Sequence, residues 1–92
     1  MSIYFKVKQA FRFEARGVLV IAGKFVESHA TVKPNMLVTI PLNSGKVEIP
    51  LQSVEYVACE GVAYPGLVFD SGRLSEWASG TVENTILEIH EN

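Results

Sequence analysis

Cys59 stands directly before Glu60 in "VACEG", and it is the only cysteine of the chain. A nucleophilic thiol needs a base and an electropositive setting. A carboxylate neighbour supplies neither, so Cys59 reads as a packed strand residue. The two histidines, His29 and His90, have no His or Cys at ligand-like spacing, and no metal set forms around them. Acid pairs such as Glu55 with Glu60, or Asp70 with Glu76, are of the right type for proton transfer. No cleft signal surrounds them, and they read as solvated charge. The chain lacks a G-x-S-x-G elbow, and Ser44, Ser53 and Ser71 fall in turns or strands. "NSGKVE" holds a Gly-Lys pair without the earlier Gly or the following hydroxyl that a phosphate-cradling loop requires. The sequence therefore predicts no catalytic residue, no metal, no cofactor and no nucleotide site. It reads as a binding protein and not an enzyme.

Two features could bind. Tyr4, Lys6, Lys8 and Arg12 share one parity of the first apolar-polar segment, and basic residues interleaved with an aromatic can follow a nucleic-acid backbone. Lys6, Lys8 and Arg12 are accordingly the candidate RNA contacts. Trp77, in "RLSEWASG", either plugs one end of the fold or stands exposed as a partner-contacting anchor. The net charge of −2 conceals an asymmetry. Residues 1–50 carry seven Lys or Arg against three Glu, a balance of +4, whereas residues 51–92 carry Arg73 against seven acids, a balance of −6. Such halves either place complementary charges on neighbouring strands or leave a basic face for a polyanion.

These residues need a scaffold, and 92 residues at 48% hydrophobic and 20% charged make one small globular domain spanning 1–92. With one cysteine there is no disulfide framework. "MSIYFKVKQ" has no uninterrupted apolar core, and no apolar run approaches the roughly 20 residues that cross a bilayer. The expectation is a cytoplasmic protein without a membrane anchor. Ile3, Phe5, Val7, Phe11 and Phe13 alternate with polar residues as in a half-buried strand, interrupted at Gln9 and Ala10 by a bulge or a strand break. "GVLVIAGKFV" is apolar without alternation, a strand covered on both faces. "ESHATVKPNM" is a polar connection ending in a tight turn. "LVTIPL" and "KVEIPL" flank "NSG" as a hairpin, with Pro41 and Pro50 on the outward parity near an edge or strand end. "SVEYVAC" is a further strand, "GVAYPGLVFD" a turn and then a short strand over Leu67 to Phe69, and "TVENTILEIH" the last. One short helical turn is expected near residues 73–78. Six or seven short antiparallel strands in so small a chain predict an all-β closed barrel.

At this level the chain resembles a known family. "FKVKQAFRFEARGVLVIAGKFV" is similar to the opening of the β-barrel second domain of elongation factor Tu and other translational GTPases, with Phe11, Arg16, Gly17, Gly23, Val32 and Lys33 on the family's positions in order. "LQSVEYV" and "YPGLVFDSGRLSEWASG" resemble the family's later segments. Asn35 replaces the family's turn Gly, and Asn is the non-glycine residue that best tolerates a left-handed backbone. "ESHAT" is longer than the family's loop and lacks its Gly, which alters the contact surface beside it. The resemblance implies a translation-protein barrel without its GTPase domain, acting as a binding module. A protein partner is the first expectation. Contact with RNA or the ribosome through the basic first half, as the family contacts transfer RNA, is the second.

Overall fold

The computed structural model describes residues 2–27, 31–42, 45–70 and 84–91. They form seven strands: β1 (Ser2–Phe13), β2 (Val18–Phe25), β3 (Leu37–Leu42), β4 (Gly45–Pro50), β5 (Ser53–Cys59), β6 (Val62–Asp70) and β7 (Ile86–His90). All pairings are antiparallel, in one sheet of order β4-β3-β7-β1-β2-β6-β5. No helix, and so none that could cross a membrane, occurs among the described residues. Trp77 and the helical turn expected near residues 73–78 lie outside the described residues.

The sheet is open, with β4 and β5 as its edges. It nevertheless curls strongly, because two consecutive residues bond to its opposite flanks. Leu51 N–H donates to Met36 O beside β3 at 2.8 Å, and Gln52 N–H donates to Val68 O of β6 at 2.8 Å. The inner face closes over one core containing Phe5, Leu19, Ile21, Val38, Ile40, Ile49, Leu67, Phe69, Leu87 and Ile89, all at most 2% exposed. A smaller cluster of Val18, Val20 and Val68, with Phe11 and Val57 against it, lies on the other face. β2 is thus buried on both sides, as its unbroken apolar run requires.

Three local features follow from residue chemistry. Asn35 takes the left-handed backbone its side chain tolerates (φ 74°), and its N–H donates to Leu51 O at 2.8 Å. Both prolines expected near strand ends sit where they cost little. Pro50 lies on edge strand β4, and Pro41 lies beyond the last β3–β7 pair, Thr39 with Glu88. The turn expected in "GVAYPGLVFD" before a strand over Leu67 to Phe69 is confined to its first residue: β6 runs unbroken from Val62 through Pro65 to Asp70. Pro65 falls past the last β2–β6 pair, Ala22 with Gly66, so its missing donor is needed by one neighbour at most. The real turn is Glu60-Gly61, both at positive φ (54° and 79°) as a two-residue hairpin loop demands.

A bulge decides which residues share a face. Val7 pairs with Gly23 and Gln9 with Ala22, so Lys8 is an extra residue in β1. Each side chain beyond it changes sides. Ala10 enters the core opposite Ile21, while Phe11 and Phe13 turn to the other face opposite Val20 and Val18. Phe11 and Phe13 stack edge to face there, with centroids 5.2 Å apart. Of the bulge or strand break expected at Gln9 and Ala10, the bulge is what occurs, one residue earlier in an unbroken β1, and it moves Phe11 and Phe13 off the stripe they share by parity with Ile3, Phe5 and Val7.

Candidate nucleic-acid interface

The same bulge borders a basic concavity. A cleft of about 260 Å³ is lined by Lys6, Val7, Lys8, Lys24, Tyr64 and Asn84. Lys6 and Lys24 are direct partners across the β1–β2 ladder. Like charges in that relation repel. The Lys24 ammonium lies 5.7 Å from the centre of the Tyr64 ring, a cation–π contact that holds it toward β6. On the other flank Ile86 pairs with Lys6. One row of outward side chains therefore crosses four strands: Ile86, Lys6, Lys24, Tyr64.

The ends of the cleft are fixed by backbone bonds. Val7 N–H donates to Thr85 O at 2.9 Å, and Asn84 N–H returns to Val7 O at 3.2 Å, with Asn84 itself left-handed (φ 66°). At the opposite rim Lys8 Nζ is 4.0 Å from Glu60 of the β5–β6 turn. Glu60 is 81% exposed, so this ion pair is weak and readily displaced. Tyr4, Val26 and Ile86 are exposed around the lysines. Tyr4 and Lys6 share a strand face, and Val26 N–H donates to Tyr4 O at 2.9 Å. The surface thus offers ammonium groups interleaved with aromatic and aliphatic side chains.

Of the three candidate RNA contacts, Lys6 and Lys8 come together and Arg12 does not. Lying beyond the bulge, Arg12 pairs with Leu19 and faces away from the cleft. The residues that sequence reasoning missed are Lys24, Tyr64 and Asn84. Only Lys24 had a usable signal, since Gly23 marks a close strand approach and Lys24 follows it.

His29, Ser44, Ser71 and Glu76 lie outside the described residues, and the candidates within them have ordinary environments. Cys59 is a buried free thiol, and His90 Nε2 lies 2.6 Å from Glu48 Oε2. Arg16, in the β1–β2 turn, donates to Glu55 Oε2 at 2.9 Å. That hydrogen bond, more than the charge attraction, holds the Glu55 carboxyl below its ordinary pKa. A carboxyl depressed on folding adds stability above its unfolded pKa and loses it as pH falls through the folded one. Arg16→Ala is expected to move the Glu55 midpoint upward, followed by the carboxyl carbon resonance, and to flatten the acid limb of the stability profile. An unmoved midpoint would show that the pair does not form in solution.

No protein-family model, curated protein or solved structure matches the chain.

Proposed function

We propose that the chain is a non-catalytic module that binds single-stranded RNA on the outer face of β7, β1, β2 and β6. The observation that carries this reading is the direct opposition of Lys6 and Lys24 in a cleft shared with Lys8 and Tyr64. Opposed ammonium groups are a cost to the free protein that an anion relieves. Tyr4, Tyr64 and Ile86 beside them suit a ligand with flat apolar parts, and a base stacked on an aromatic contributes about 1–3 kcal/mol. We read the curled sheet as a barrel of the translation-protein type, for which the resemblance implies contact with transfer RNA. Three phosphates neutralised on a single strand give a slope of log K against log salt of about −2. Fluorescence anisotropy of a labelled oligoribonucleotide measures it, and a flat salt dependence or no binding overturns the reading. Arg12→Glu, outside the cleft, is expected to change the affinity less than about twofold.

A protein partner is the second reading, and edge strand β5 favours it. Val54 and Tyr56 are 36% and 78% exposed on that edge. An extended segment of another chain could add there as a further strand, through backbone hydrogen bonds and apolar contact. Such binding would survive high salt, where RNA binding on the lysines would not.

A further inference from the structure

A second hollow, about 170 Å³, opens on the same face and is lined by Thr39, Pro41, Lys46, Ile86 and Glu88. It spans β4, β3 and β7, whereas the lysine cleft spans β1, β2 and β6. Since β7 neighbours β1, the two lie side by side, with Ile86 paired to Lys6 on the ridge between them. Thr39 is level with Glu88 and Tyr4, and Lys6 lies two residues further along β1, so Thr39 and Lys6 are two strand spacings and one two-residue step apart, about 12 Å. A base attached near a phosphate at Lys6 can reach that far.

The chemistry of the hollow differs from that of the cleft. Glu88 stands opposite both Thr39 and Tyr4, and its Oε2 accepts from Ser2 Oγ at 2.5 Å, which fixes the carboxylate in place. Glu48 flanks Thr39 on the other side and is held by His90 at 2.6 Å. Two anchored carboxylates repel a phosphate. What they favour is an uncharged group with an N–H donor, and Lys46 beside them donates to a ring nitrogen or carbonyl. Ile86 and Pro41 supply apolar walls for a flat ring.

We propose that this hollow is a nucleobase subsite in which Glu88 accepts from an exocyclic amino group, so that it discriminates against uracil. Cytosine, adenine and guanine each carry such an amine. Uracil lacks one: the donor on its edge is the ring N3–H, flanked by the O2 and O4 acceptors, which meet the carboxylate with like partial charge. The inference rests on the RNA reading above and adds a sequence preference to it.

The test compares labelled oligo(C), oligo(A) and oligo(U) of equal length by anisotropy at one low salt concentration. The wild type is expected to bind oligo(C) and oligo(A) about fivefold tighter than oligo(U), the low end for one base-edge contact. Glu88→Gln, whose amide both donates and accepts, is expected to bring oligo(U) within about twofold of oligo(C). Lys46→Gln leaves the Ser2–Glu88 contact in place and is expected to shrink the same ratio, so a poorly folded Glu88 variant does not decide the matter. Equal affinities with a steep salt slope overturn the subsite and leave the RNA reading standing. A ratio unmoved by both substitutions likewise overturns the subsite. Failure of every oligonucleotide to bind overturns both.

Discussion

Gly23→Val is expected to destabilise the protein by about 3 kcal/mol or more, or to prevent folding, as overpacking against immovable atoms does. A Cβ at residue 23 would lie 2.0 Å from the Lys6 carbonyl oxygen and 3.0 Å from its carbon, with Phe5 Cε2 at 2.9 Å. Two of these atoms are backbone, held in the β1–β2 ladder, and the third belongs to a fully buried ring. Neither can retreat cheaply. Gly23 is therefore bare because β1 bulges toward it at Lys8. Gly17, in the preceding turn, has nothing within 4 Å of a built Cβ and is constrained by φ +66° alone. Gly17→Ala should then cost only about 1–2 kcal/mol, from the left-handed backbone. Urea denaturation of the two variants separates the mechanisms. An unchanged midpoint for Gly23→Val would refute the close approach and with it the geometry of the cleft.

That bulge also explains what the sequence could and could not reveal. Alternation placed Phe5 and Val7 inside, and the absence of alternation marked β2 as covered twice; both are direct consequences of burial on one or two faces. Asn35 and the two outward prolines were readable because backbone φ and a missing donor are properties of single residues. Parity is not such a property. An extra residue in one strand flips the facing of all that follows, and "VKQAF" alone leaves a bulge and a strand break both open. The interruption near Gln9 and Ala10 was visible, but its consequence, Arg12 leaving the face of Lys6, required the partner strand. Lys24 and Tyr64 escaped for a related reason. They join Lys6 through the strand order β1-β2-β6, a long-range fact that local pattern does not carry. Tyr64 was hidden further by Pro65 and Gly66, whose turn chemistry is overridden because the β2 ladder ends at Gly66.

Lys6→Glu is expected to weaken RNA binding by about tenfold or more at low salt and to reduce the salt slope by about one phosphate contact. The same substitution should leave stability unchanged or raise it by about 0.2–1 kcal/mol, because the cross-strand pair with Lys24 becomes attractive. The opposite signs are the point of the experiment. A lysine retained for folding would lose stability and function together, whereas one retained for an anion costs stability in the free state and is recovered on binding. Lys24→Glu should behave alike, with an added loss from its contact with Tyr64. Combining both reversals restores a like-charge pair, so the double variant is expected to give back the stability gained by either single one while binding no RNA. The stability effects are then non-additive by design of the ladder, a signature that two independent surface charges would not produce. Should Lys6→Glu bind RNA like the wild type, or lose stability in step with affinity, the opposed lysines are structural and the outer face is not the binding surface.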